Sequence, residues 1–165
     1  MFGVQRCHLI IVLGHGEGSL IGMIASQKNE VEKFISVAGA GISAGDIIRQ
    51  QLKAQPPVVL NQSLPIIEKL ENGERVENIP QMLYPLFRPS VQPYMISWFK
   101  YNPQIEIAKL NKPILIIQGT TDIQVSVSDE DKLASANKKS QKKIIEGMRS
   151  EEHTSELQSP DHLVC

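Results

Sequence analysis

Leu9-Ile10-Ile11-Val12-Leu13-Gly14-His15-Gly16-Glu17-Gly18 is the stretch on which the fold of this 165-residue chain turns. Five consecutive apolar residues are too few for a helix and are closed off by glycines. They predict a strand over 8–13, covered on both faces as parallel strands usually are. The glycines turn the chain, and a helix follows from about Ser19 to Asn29. Working outward, Phe34–Val37 predicts a second strand running into Ala38-Gly39-Ala40-Gly41, and Pro113–Gln118 a third. The apolar stretch 142–148 predicts a fourth, centred on Lys142–Glu146. Between the last two lies a helix over roughly 128–138, opened by Ser128 with Asp131 three residues on, a capping-box-like start. Strand–helix–strand units of this kind imply an α/β fold: a partial doubly wound parallel sheet with helices on its faces.

Residues 44–103 break that rhythm. They hold eight of the ten prolines and six of the eight aromatics, which excludes a central strand and favours short helices. Ile47, Ile48 and Leu52 fit one helix face. Leu60, Leu64, Ile67 and Glu71 follow a 3.6 period, with Gly73 placed to stop the helix. Ser90, then Val91, Tyr94, Met95 and Trp98 predict a third helix, with Pro93 tolerated in its first turn. The domain plan is therefore a core over 1–43 and 104–148, a helical insertion over 44–103, and a tail over 149–165.

Composition narrows the function classes. The chain is 41% hydrophobic and 21% charged with a net charge of −1, which gives no electrostatic case for nucleic acid. No apolar run approaches the roughly 18 residues of a membrane span. Cys7 and Cys165 make no disulfide framework, and His8, His15, His153 and His162 have no metal-ligand spacing. A charged n-region with a small-residue cleavage site is missing, so no signal peptide is expected and the cytoplasm is slightly favoured. The tail (RSEEHTSELQSPDHLVC) has neither hydrophobic period; without it 16 basic and 14 acidic residues remain, a net charge of +2.

Gly14-His15-Gly16-Glu17-Gly18 allows three readings. In a nucleophile elbow, Gly-x-Ser-x-Gly, the central residue is strained and the residues two positions away must be small so that strand and helix can approach; Gly14 and Gly18 satisfy this. A phosphate loop, Gly-x-Gly-x-x-Gly, would need glycine at 19, where Ser19 stands, and an acid after the next strand, where Ala38–Gly41 offers none. A plain strand–helix turn needs glycine for geometry alone.

The stretch Ile10–Ala25 (IIVLGHGEGSLIGMIA) resembles the elbow of the α/β-hydrolase family, whose pattern is Gly-His-Ser-x-Gly. Lys112–Val125 (KPILIIQGTTDIQV) resembles that family's penultimate strand and the acid loop after it. Gly39–Gly41 and Val76–Tyr101 resemble the core and cap of bacterial hydrolases of the serine aminopeptidase-like type. Arg149–Ser159 resembles the translation of a widely used sequencing adapter, so 149–165 is expected to be non-native.

The resemblance implies a serine hydrolase of carboxylic esters or small acyl amides that needs no cofactor and no metal. Its partner would be a small acyl substrate rather than nucleic acid or membrane. It places the nucleophile position at Gly16, the triad acid at Asp122 and one oxyanion-binding backbone N–H at Glu17. Gly16 has no side chain to attack with, and the family's histidine would follow Met148, so the chain itself is expected to be an inactive fragment. A non-catalytic relative that kept the pocket is the alternative. Ser19 reads as a packing residue. Phe87, Tyr94, Trp98 and Phe99 read as the insertion's own core, with an acyl pocket as the other use. Cys7 reads as inert and Lys138, Lys139, Lys142 and Lys143 as a solvated face.

Overall fold

A computed structural model describes residues 9–122 and 125–149. Four strands, β1 (Ile10–His15), β2 (Val31–Val37), β3 (Ile114–Gly119) and β4 (Ser140–Ile145), form one all-parallel sheet in the order β1-β2-β3-β4. Helix α1 (Glu17–Ala25) connects β1 to β2. Contacts divide the chain into a unit built on the sheet and a second unit over 42–102.

In the sheet unit, register puts Val12, Phe34 and Ile114 in one row and Gly14, Ser36 and Ile116 in another. These rows share a face because side chains alternate along a strand. Phe34, Ser36, Ile114, Ile116 and Gln118 are all buried there. Leu20 and Met23 of α1, Ile107 of α6 (Pro103–Ala108) and Leu133 of α7 (Val127–Ala136) complete this core. The alternate face is more open, with Leu13 61% exposed and Ile35, Val37, Leu115 and Ile117 half-buried.

Two sequence readings need correcting here. β1 is not covered on both faces: among the described residues it pairs only with β2, and Leu9, Ile10, Ile11 and Leu13 are exposed. An apolar run reports a preference for burial, while burial itself depends on neighbours. The apolar fourth strand is likewise an exposed edge. The capping box of α7 is Ser126 with Asp129, not Ser128 with Asp131. The Ser126 N–H and hydroxyl both donate to the Asp129 carboxylate, at 3.1 and 2.8 Å, and Asp131 instead pairs with Lys142 at 2.5 Å.

The second unit packs α2 (Ala44–Leu52), α3 (Pro57–Glu71), α4 (Tyr84–Phe87) and α5 (Gln92–Phe99) around Ile48, Leu52, Ile66, Ile67, Leu70, Leu83, Phe87 and Met95. Gly73 stands at φ +82° just past α3, where only glycine is comfortable, and ends that helix. The inward face of α3 is Ser63, Ile66, Ile67 and Leu70, so Leu64 of the predicted stripe lies off that face at 38% exposure. Arg49 closes α2 onto α3 through two bonds to Glu71, at 2.7 and 2.6 Å. Pro93 sits in the first turn of α5. Phe87 is core and Phe99 packs against it, whereas Tyr94 is half exposed and stacks on Trp98 with ring centroids 5.7 Å apart.

Candidate active site

β1 ends at His15, and the next residue has a backbone that L side chains rarely adopt: Gly16 lies at φ 57°, ψ −124°. Its N–H donates to the Val37 carbonyl at 2.9 Å, which fixes the turn to the end of β2. The turn is tight. A β carbon on Gly14 would stand 2.1 Å from the carbonyl oxygen of Gly18, so residue 14 must be glycine for α1 to reverse over β1. Gly18 is different, since its own β carbon would meet nothing within 4 Å; the small-residue requirement falls on Gly14 alone. At Gly16 a β carbon also meets nothing within 4 Å. Backbone strain, not space, is what a side chain at 16 would face.

Glu17 is the first residue of α1 and is exposed. The leading N–H groups of a helix have no intrahelical acceptor, so the Glu17 N–H belongs to a set that can bind developing negative charge. Ser19 is fully buried, and its hydroxyl lies 2.6 Å from that of Ser36, itself fully buried. Gly39 permits this pair, because a β carbon there would come within 2.3 Å of Ser19 Oγ. Ser19 is therefore packing, as its place in the first helical turn suggests. Exposed His15 makes the last register pair of β1, with Val37.

Asp122 follows the C-terminal end of β3. Its Oδ1 accepts from the Val125 N–H at 3.1 Å. Register pairs His15 with Val37 and Val37 with Ile117, so Gly16, Ala38 and Gln118 follow at one level. All strands are parallel, which puts Gly16 and Asp122 at the same rim of the sheet. The strand bearing Asp122 is second neighbour to the strand bearing Gly16, about 10 Å across. The carboxyl-end rim is where open parallel sheets hold ligands.

Between them stands a residue the sequence reading passed over. Ala38 is buried at φ 49° and donates its N–H to the Ile117 carbonyl at 2.9 Å. Two successive strand ends thus leave the sheet through left-handed backbone, and alanine in the second gives no signal that a sequence pattern could detect. Ser36 could have been paired with Ser19 only by knowing the register.

A cleft of about 550 Å³ lies at the opposite rim, lined by Gln27, Asn29, Lys109, Asn111 and Lys112 among others. Three of its polar side chains are already engaged. Lys112 donates to the carbonyls of Lys28 and Val31, and Gln27 and Lys109 both meet the Glu106 carboxylate at 2.7 Å. Among the described residues no cluster of His, Cys, Asp and Glu could hold a metal, and no helix is long and apolar enough to cross a membrane. Cys7, His8, residues 123 and 124, His153, His162 and nearly all of the tail lie outside the described residues.

No protein-family model matches the sequence, and no curated protein matches it. Solved structures do. Est1E from Butyrivibrio proteoclasticus is similar at a TM-score of 0.55 and 19% identity, over 91% of this chain and 56% of that one. The N-formylmaleamic acid deformylase Nfo from Pseudomonas putida is similar at 0.52 and 16%, over 88% and 62%. MGS-MChE2, an alpha/beta hydrolase enzyme from the metagenome of lagoon sediments at Mar Chica, Morocco, is similar at 0.51 and 13%, over 86% and 52%. The fold is thus that of the α/β-hydrolases, in part. The chain spans little more than half the length of these three proteins.

Proposed function

We propose that this chain is part of a serine hydrolase acting on carboxylic esters or small acyl amides, of the bacterial serine aminopeptidase-like kind, and is itself inactive. The observation that carries this reading is the backbone of Gly16. A residue at φ 57° between a strand and a helix, with open space where its side chain would be, is the geometry a nucleophile elbow requires. In this reading a serine at 16 attacks the acyl carbon while a histidine takes its proton. Asp122 orients that histidine, and the Glu17 N–H stabilises the oxyanion. The unit over 42–102 serves as the cap. The tail over 149–165 is non-native and takes no part.

Glycine at 16 also supports a second reading, a non-catalytic binding protein of the same fold. Glycine holds the elbow without strain, so losing the serine leaves the turn intact. Reading the gene from an independent source separates the two. Serine at 16 with a histidine beyond 148 supports the hydrolase, and glycine retained at 16 supports the binding protein. For the chain with glycine at 16, an acyl-ester assay is expected to show no turnover above an Asp122→Ala control. Turnover above that control would overturn the claim of inactivity.

A further inference from the structure

We propose that Gln118 is a positioning residue for the Asp122 carboxylate, an inference that rests on reading Asp122 as the triad acid. Gln118 belongs to the face of β3 that also carries Ile114 and Ile116, and all three are buried, Gln118 at 1% exposure. An amide in such a row is costly unless bonded. Its Nε2 donates to the Val125 carbonyl at 2.7 Å. The N–H of the same Val125 donates to Asp122 Oδ1 at 3.1 Å. One residue is thus held by its carbonyl from inside the sheet while its N–H holds the carboxylate. Position is passed from the core to Asp122 through a single residue, across the α carbon of Val125.

The other side of the turn is tied separately, to the end of β4. Thr120 donates its N–H to the Ile145 carbonyl at 3.2 Å, and Thr121 donates its hydroxyl to the Met148 carbonyl at 2.9 Å. These bonds fix where the turn leaves the sheet. The Gln118 bond fixes Val125, whose N–H reaches the Asp122 carboxylate, a task an apolar residue of the same volume cannot perform.

NMR on the full chain tests this. In the unmodified chain the Gln118 side-chain amide protons should exchange about tenfold or more slower than those of exposed Gln50, and should show an NOE to Val125. In Gln118→Met, and in Gln118→Glu at a pH where its carboxyl is ionised, which keeps the size but loses the donor, the Val125 amide should exchange about tenfold faster. The Asp122 carboxyl 13C resonance should move in both, while the amides of β2 keep their protection. A Val125 amide that changes only in step with β2, or an unmoved Asp122 resonance, overturns the proposal. If neither variant folds, the unmodified chain decides: Gln118 side-chain protons that exchange as fast as those of Gln50 overturn it. None of these readouts requires hydrolysis, so an independently read gene that removes the hydrolase reading leaves their outcome distinct.

Discussion

The inner strands β2 and β3 and the outer strands β1 and β4 are made from similar sequence and meet different fates. Ile114–Ile117 on an inner strand and Leu9–Leu13 on an outer one are equally apolar runs. Ile114 and Ile116 are almost wholly buried, whereas Leu13 is 61% exposed. The inner strands have a hydrogen-bonded neighbour on each side; among the described residues each outer strand has one. Apolar content selects the strand, and the number of neighbours sets how much that apolar content contributes. The most decisive way to break this comparison is paired truncation. Phe34→Ala, at a fully enclosed site on β2, should cost about 3–5 kcal/mol in denaturant unfolding. Leu13→Ala should cost less than about 1 kcal/mol, since most of its side chain already meets solvent. Equal costs would mean that β1 is covered after all.

The rim of the sheet offers a second contrast of the same kind, between two glycines two residues apart. Gly14→Ala would drive a β carbon into the backbone of Gly18, where no flexible side chain can give way. It should cost roughly 3 kcal/mol, at the upper end of overpacking. Gly16→Ala meets open space and only the strained backbone, and should cost about 1–2 kcal/mol. Thermal melts of the two variants rank them, and a reversed order would show that the tight approach of α1 to β1 is misplaced.

Much of the sheet was legible in sequence because strand–helix alternation and glycine punctuation are local signals. The four strands, α1 and α7 fall within a few residues of their predicted places. What was not legible depends on partners remote in sequence. The exposure of β4 follows from sheet order. The Ser19–Ser36 pair needs residues 17 positions apart brought into register. The start of α7 moved from Ser128 to Ser126 because two serines two residues apart each precede an acid by three, and the pattern cannot choose between them. At the candidate site, the positions of Gly16 and Asp122 came from local motif, whereas the Gln118–Val125 bond did not. A glutamine in a strand carries no mark of where its amide points.

Helix α7, which packs on both an inner and an outer strand, sharpens the comparison further. Its Leu133 is fully buried, but so is Glu130, and neither carboxylate oxygen of Glu130 makes a well-formed hydrogen bond. Burial raises its pKa above the usual carboxylate value, and the nearby charge of Asp131 adds to this; Lys142 and the Lys143 N–H pull the other way. An acid whose pKa is raised by folding carries no pH-dependent cost while both states are protonated. As pH climbs past the unfolded value near 4.5 the unfolded chain releases its proton first, so stability falls until the folded group ionises too. Glu130→Met should therefore raise stability at neutral pH by about 1–2 kcal/mol and flatten its decline above pH 4.5. An unchanged slope in melts across that range would show that Glu130 is well solvated.

The smallest effect tests whether α7 is held by its start or by its packing. Ser126 gives both its N–H and its hydroxyl to Asp129, and it caps the helix lying over β3 and β4. Ser126→Ala keeps the backbone bond and loses the hydroxyl, a change of about 1 kcal/mol. If the cap acts locally, hydrogen exchange should quicken in α7 and at β4, whose open edge leaves it little else to lean on. The amides of β2 should hardly respond, since that strand is closed on both sides by neighbours. Uniform loosening of all four strands would instead mean that inner and outer strands open as one cooperative unit, and that their difference in burial carries no difference in local stability.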